Sequence, residues 1–200
     1  MTTLRNIEFV TTVADLRTLP PAHGAEVAFA GRSNAGKSSA INALAQRNRM
    51  AFVSKTPGRT QHINFFSVGT QRYLVDLPGY GYAAVPAAAR AHWHELVGGY
   101  LQTRECLRGV IVIMDVRRPL TELDQKLINW LRPTGVPVHI LLSKSDKLGQ
   151  QKAGATLREV DAALARGYIN CTAQLFSSTR KVGIAEAAKK IQRWLSVGSE

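Results

Sequence analysis

Cysteine is nearly absent: Cys106 and Cys171 are the only two in 200 residues, and no CxxC pair occurs. That argues against a disulfide framework or a cysteine zinc site and fits a reducing cytoplasm. Long apolar runs are missing too. The stretch Gly109–Met114 (GVIVIM) is strand-sized, far short of the roughly 20 residues a transmembrane helix needs. The leading MTTLRNIEF carries no apolar h-region, so no secretory signal is expected. The closing SVGSE offers no cysteine for prenylation. Acidic residues are scarce, 14 against 26 Lys plus Arg, which leaves a net charge of +12 and a pI near 10.2. Such a surplus concentrates polyanions, so nucleic acid or ribonucleoprotein is the leading partner class; solubility by self-repulsion is the plain alternative.

What is present suits one globular domain, with 45% hydrophobic residues. The first two dozen residues are mixed and end at the Pro/Gly break LPPAHG, so residues 1–24 read as an N-terminal extension to a domain over 25–198. Glu26–Ala30 reads as a buried strand running into a glycine loop, and Lys37–Gln46 as a helix. Asn48–His62 is polar and turn-rich. Ile63–Val68 and Arg72–Asp76 flank Gly69-Thr70 as a hairpin. Helical spacing follows over Ala87–Thr103, Glu122–Arg132, Gln151–Ala165 and Ile184–Leu195, with strands at Gly109–Asp115, Val136–Ser143 and Cys171–Ser177 between them. Alternation of this kind predicts an α/β fold: a mainly parallel six-stranded sheet, one strand antiparallel, with helices on both faces. Ligands of such sheets bind beyond the carboxyl ends of the strands.

Several loops at those ends carry chemistry. Gly31–Ser38, GRSNAGKS, matches G-x-x-x-x-G-K-[ST] between a strand and a helix, with Ser39 next. Backbone amides of Gly31, Arg32, Ser33, Asn34, Ala35 and Gly36 would cradle phosphates, Lys37 would reach the β- and γ-phosphates, and Ser38 would ligate Mg²⁺. Asp76–Gly79, DLPG, lies at the end of the third strand; Asp76 would hold Mg²⁺ through water and the Gly79 amide would bond the γ-phosphate. Ser143–Asp146, SKSD, fits the guanine-reading [NT]KxD element. Asp146 would accept two hydrogen bonds from guanine and reject adenine, which offers an acceptor instead, while the Lys144 stem covers the base. In Ser177–Ser178–Thr179, a backbone amide would meet the guanine carbonyl. Together these loops favour GTP over ATP. Between the first two lies VSKTPGRTQHIN, where Thr60, following the Pro57-Gly58 turn, is preferred to Thr56 as the residue closing over Mg²⁺ and the γ-phosphate.

One feature cuts against catalysis. After Gly79 stands Tyr80, where a water-orienting glutamine is common. It belongs with the switch residues, within a GYGYA segment expected to be flexible. His92 and His94 lie two apart on one helix and point to different sides. His62 is expected to be exposed, and Asp115 to pair structurally with Arg117 or Arg118. On the last helix, Lys189, Lys190 and Arg193 would stand outside an apolar Ile191–Trp194–Leu195 face, as a covering helix or as an RNA-facing patch.

In order, GRSNAGKSS, TPGRTQHINFF, DLPGYGYA, DVRRPLTELDQ and SKSDKL resemble the EngB/YihA/YsxC-type ribosome-biogenesis GTP-binding proteins, from Glu26 to the C-terminal helix. Ser143, where threonine or asparagine is usual, and Ala40, where a larger apolar residue is common, depart from the pattern; Ser143 puts the support of its loop in question. The resemblance implies a Ras-like P-loop fold, slow GTP hydrolysis needing Mg²⁺, a monomer in the cytoplasm without membrane attachment, assembly of the large ribosomal subunit with its rRNA as partner, and a link to cell division. Relatives in this broader class carry an asparagine at the position of Asn34, and some use it to hold K⁺, which would substitute for an arginine finger. The rival readings are a GTP-regulated binding module that barely hydrolyses, a P-loop ATPase, and a membrane signalling GTPase.

Overall fold

The computed structural model describes residues 4, 7–46, 62–81, 87–168 and 170–196, with side chains in the second helix from residue 91 onward. In chain order the elements are β1 (Glu8–Val13), β2 (Ala25–Gly31), α1 (Lys37–Ala45), β3 (Ile63–Ser67), β4 (Arg72–Asp76), α2 (Ala87–Thr103), β5 (Leu107–Asp115), α3 (Glu122–Leu131), β6 (Val138–Ser143), α4 (Gln150–Gly167), β7 (Cys171–Leu175) and α5 (Ile184–Leu195). They form one sheet in the order β1-β3-β4-β2-β5-β6-β7. Only β3 runs against the rest, antiparallel to both β4 and β1. The remaining neighbours pair in parallel, as their long helical crossovers require.

The α/β class expected from the alternation is therefore the one observed, with one strand more than the six anticipated. The addition is β1, EFVTTV, from the segment that reads as a mixed extension. It lies at the sheet edge and most of it faces outward: Phe9 is 60% and Val10 46% exposed. An edge strand has little apolar surface to bury, so its sequence lacks the buried-run signature. Its register also shifts between Phe9 and Thr11, which blurs the alternation further.

Central strands show the opposite pattern. Along β5, LRGVIVIMD, only Arg108 and Asp115 are not fully buried, because helices cover both faces. On one side α1 and α5 pack Ile41, Leu44, Ile191 and Leu195 over Phe29, Ile111 and Leu141. On the other, α2, α3 and α4 set Leu96, Tyr100, Leu127, Ile128 and Val160 against Val75, Val112 and Ile140. Burying one such side chain contributes on the order of 2 kcal/mol. The loops after β2 and β4 lead to helices on opposite faces, so a crevice opens at the carboxyl ends of these strands.

At the other end, the start of β2 carries a sealed polar group. Glu26 (1% exposed) accepts from Arg104 Nη2 at 2.6 Å and from the Tyr100 hydroxyl at 2.8 Å. Arg104 Nη1 also donates to the Pro20 carbonyl at 2.7 Å, tying the entry segment to the end of α2. Burial opposes the charge on Arg104, but its bonds to Glu26 outweigh it and raise the pKa. Within β6, His139 is buried between Thr172 Oγ1 (2.7 Å) and Gln174 Oε1 (2.8 Å), and burial pushes its pKa down to about 4.

Candidate functional site

The loop leaving β2 has a backbone that dictates its residues. Gly36 sits at φ 100°, a conformation open to glycine and costly for residues with a Cβ, and Asn34 at φ 62°, which asparagine tolerates. Gly31 passes so close to β5 that a Cβ there would stand 2.9 Å from the Ile113 carbonyl oxygen. Helix α1 starts at Lys37 with Gly36 as its N-cap and no side-chain cap, so its first amides and positive dipole end face the loop. Ser38 and Ser39 lie half-buried in its first turn.

Lys37 reaches across to the end of β4 and donates from Nζ to Asp76 Oδ1 in a nearly buried ion pair. Two loops read separately from the sequence are thereby joined through a lysine and an aspartate 39 residues apart. Gly79 lies against the same loop, where a Cβ would be 3.6 Å from the Ser33 amide nitrogen.

Tyr80 corrects the expectation of a flexible segment, at least at its first tyrosine. It is 7% exposed and fastened at both levels. Its main chain bridges the phosphate loop, with its carbonyl accepting from Ser33 N at 2.9 Å and its N–H donating to Gly31 O at 3.3 Å. Its hydroxyl donates to Asp124 Oδ1 at 2.8 Å. The other oxygen of Asp124 accepts from the Thr121 N–H (2.9 Å) and hydroxyl (2.7 Å), a capping arrangement at the start of α3. Trp93 completes the mounting: its ring meets Tyr80 edge-on and its Nε1 donates to the Pro78 carbonyl at 2.9 Å. Burial first, and then the Asp124 charge, raise the Tyr80 pKa well above the usual phenol range. The hydroxyl stays protonated and has no role as a base. Asp124 and Trp93 were not picked out from the sequence as site residues; the T-x-x-D spacing of Thr121 and Asp124 was the signal available for the first.

The third loop is tied to the first from behind. Ser143 Oγ is 2.5 Å from the Ala35 carbonyl oxygen and 3.0 Å from that of Met114, so its single proton is shared between them. The departure to serine thus retains the support that the sequence had put in question. Lys144, at φ 57°, sends Nζ to the Asn34 carbonyl at 2.7 Å and to Asp115 Oδ2 at 3.0 Å. Asp115 also binds Arg117 Nη2 at 2.6 Å. The bonds from Arg117, against the opposing effect of burial, hold its carboxyl far below the usual range. Arg117 is thus a partner of Asp115, as the sequence led us to expect, and Lys144 is a second one.

Asp146 meets the fourth loop directly. Its Oδ1 accepts from Ser177 Oγ at 2.5 Å, and that bond holds the carboxyl below its ordinary value. Thr179 Oγ1 lies 3.0 Å from the same hydroxyl. The Ser177 N–H is engaged with the Val182 carbonyl at 3.0 Å, which leaves Ser178 and Thr179 as the amides able to meet a base. On α5, Lys190 is not a purely outward charge: Nζ donates to Thr172 Oγ1 at 2.8 Å and lies 6.0 Å from the Trp194 ring centroid. His62 is exposed, and His94 packs against Trp93 and Trp130. Thr56, Gly58 and Thr60 lie outside the described residues, as do Tyr82 and Ala83. Among the described residues no helix is long and apolar enough to cross a membrane.

With this geometry in hand, known proteins can be compared. The model of the 50S ribosome-binding GTPase family matches residues 26–144. A probable GTP-binding protein EngB of Nitrosomonas europaea is 57% identical over 194 residues, covering 97% of this chain and 87% of the relative. Its counterpart in Dechloromonas aromatica is 58% identical over 191 residues, 94% of this chain and 87% of the relative. Among solved structures, a probable GTP-binding protein EngB superimposes with a TM-score of 0.64 at 18% identity, over 86% of this chain and 98% of that one. Era, bound to MgGDPNP and a segment of 16S ribosomal RNA, gives 0.67 at 21% identity, over 89% and 59%. At these identities the structural likeness speaks to the fold.

Proposed function

The chain belongs to the EngB family of GTP-binding P-loop GTPases, and on that premise we propose a cytoplasmic, Mg²⁺-dependent switch whose GTP form binds an assembly intermediate of the large ribosomal subunit and whose hydrolysis releases it. The observation that carries the nucleotide part is the convergence of Lys37, Asp76, Asp146 and Ser177 at the carboxyl ends of adjacent strands, in contact pairwise. The net charge of +12 and the family's description as ribosome-binding support the partner.

In this reading Lys37 takes the β- and γ-phosphates, the loop amides and the α1 terminus cradle them, and the Gly79 amide bonds the γ-phosphate. Asp76 and the Ser38 hydroxyl would supply hard oxygen donors that suit Mg²⁺, and the place of these two beside Lys37 fits such an ion; Thr60 would be a further donor. When bound, Mg²⁺ neutralises charge on the phosphate oxygens. Asp146, held ionised by Ser177, accepts from the guanine ring N–H and amine, while the Ser178 or Thr179 amide meets the carbonyl. Lys144, fastened at its head to Asn34 and Asp115, lays its stem along the base. Catalysis is then positioning and electrostatics, because Tyr80, which follows the γ-phosphate sensor, is committed as a donor to Asp124. The attacking water is placed by backbone, by the ribosomal partner, or by K⁺ held at the exposed Asn34 side chain.

That commitment of Tyr80 also favours a second reading, a GTP-regulated binding module that hydrolyses negligibly. Single-turnover GTP hydrolysis in K⁺ and in Na⁺, with and without large ribosomal subunits, separates the two. The switch reading expects subunits to raise the rate and K⁺ to exceed Na⁺. A rate at background under every condition leaves the binding module, and equal rates in the two salts remove Asn34 from the mechanism.

A further inference from the structure

Basic side chains stand at both ends of the sheet, and those at the end away from the crevice include a group of arginines. Around the crevice Lys37 is paired with Asp76, Lys144 and Arg117 with Asp115, and Lys147 with Asp146, while Arg118, Arg180 and Lys181 are exposed and outside these ion pairs, and Arg32 Nε is buried without a hydrogen-bond partner. Parallel strands and their returning helices place the strand starts and the helix ends together at the opposite end. There stand Arg108 at the start of β5, Arg132 after α3, Arg166 in the last turn of α4 and Arg193 in the last turn of α5. Arg132, Arg166 and Arg193 are exposed. None of these four has a carboxylate partner among the described residues. Arginine at a helix end complements the helix dipole, but Arg108 is on a strand and that cause does not reach it.

A recess of about 420 Å³ opens at the same end, between the end of α2 and the turn that leads into β6. Leu101, Leu107, Val136 and Pro137 give it apolar walls, and Arg108 lines it. Arg108 Nε is buried and has no hydrogen-bond partner. Its Nη1 has only the Glu105 carbonyl, at 3.4 Å. A guanidinium with a buried, unmatched N–H beside an apolar wall suits an unpaired nucleotide: acceptor oxygens for the fork, and a flat base for the wall and the guanidinium plane. The volume falls within the range of small-ligand sites. Arginine, with its forked donors, matches phosphate better than lysine does.

We propose that this end of the sheet is an RNA-binding surface, on which Arg132, Arg166 and Arg193 hold the phosphate backbone of single-stranded RNA while the recess beside Arg108 takes one unpaired base. This rests on the reading that the partner is a ribosomal particle, and it says which face meets the RNA. The nine residues of β5, at about 3.3 Å each, set this surface roughly 25–30 Å from the phosphate loop, so RNA and GTP occupy separate ends.

The test uses the full chain with two probes, a fluorescein-labelled 20-nucleotide single-stranded RNA of mixed sequence and purified large ribosomal subunits, between 50 and 200 mM KCl. Three variants are compared with the wild type: R132Q/R166Q/R193Q, the charge-retaining R132K/R166K/R193K, and the control R118Q/K126Q/K152Q, which lowers net charge equally at the nucleotide end. The Gln variant at the arginine surface is expected to lose at least about tenfold in affinity for both probes, and its salt slope to flatten by about 2, from three lost phosphate contacts at roughly 0.7 each. The Lys variant keeps the slope, and the control loses much less. Arg108→Ala is expected to weaken binding of single-stranded RNA more than of a duplex of equal length. GDP affinity, unchanged in all of them, verifies the fold. If wild type binds subunits and the two Gln variants lose equally, or neither loses, this surface is not the RNA face although the ribosomal reading stands. If wild type binds neither probe, both fall.

Discussion

The two ends of the sheet differ in how their polar groups are tied together. At the carboxyl ends of the strands the described loops are laced to one another by charged or hydroxyl side chains: Lys37 to Asp76, Lys144 to Asn34 and Asp115, Ser143 to Ala35, Ser177 to Asp146. At the amino ends one charged group is sealed away, the Glu26–Arg104–Tyr100 set, and other arginines stand at the surface without carboxylates. Lacing sets the geometry of a site whose ligand contacts must hold to a fraction of an ångström. Unpaired surface charge does the reverse: it attracts a polyanion over distance and leaves the docking geometry loose. The proposed switch, which would grip one small nucleotide and meet one large particle, has use for both.

The largest effect that sharpens this contrast is at the sealed set. Arg104→Leu strands the Glu26 carboxylate in the core and should cost about 3–5 kcal/mol in urea unfolding. GTP affinity of the fraction that remains folded should hold within about twofold. A loss of affinity as large as the loss of stability would mean that the two ends are not separable. Lys37→Ala should lower GTP hydrolysis at least about 100-fold, roughly 2.7 kcal/mol, and, because it leaves the Asp76 carboxylate without its partner, should cost stability as well.

Next comes pH. His139 has a folded pKa of about 4 against an unfolded value near 6.5, so the unfolded state binds more protons between those values. Stability therefore falls as pH drops from about 6.5 to 4, by up to about 3 kcal/mol, and is flat from this cause below 4. His139→Leu should remove that part of the slope; a slope the same as in wild type would assign it to carboxylates instead. Smallest is Tyr80→Phe, which deletes a hydrogen bond to a charged acceptor and should cost about 1.5 kcal/mol. Its hydrolysis should stay within a few-fold of wild type. If it falls as far as in Lys37→Ala, the hydroxyl acts on the chemistry and the anchoring account fails.

The sequence made the site legible more readily than the mounting that holds it. The loops read as phosphate- and guanine-binding stand out because such chemistry needs particular residues at fixed spacing, and the helices over Ala87–Thr103 and Ile184–Leu195 match the expected spans. Strand β1 did not, since an edge strand whose Phe9 faces outward has no buried stripe to betray it. Tyr80 was misread as part of a mobile stretch because its fixed state depends on Asp124 and Trp93, 44 and 13 residues away in sequence, and local pattern carries no record of such contacts. For the same reason the engaged amide of Ser177 could not be told from its free neighbours. The arginines at the far end were individually visible. Their grouping depends on the topology, which alone shows that helix ends and strand starts share a face.

The most direct test of the whole account is co-pelleting of the wild-type chain with large ribosomal subunits and their precursors, loaded either with a non-hydrolysable GTP analogue or with GDP. The account predicts binding at least about tenfold tighter with the analogue, a coupling of about 1.4 kcal/mol between nucleotide state and partner. Equal pelleting in the two states, or none in either, would contradict it.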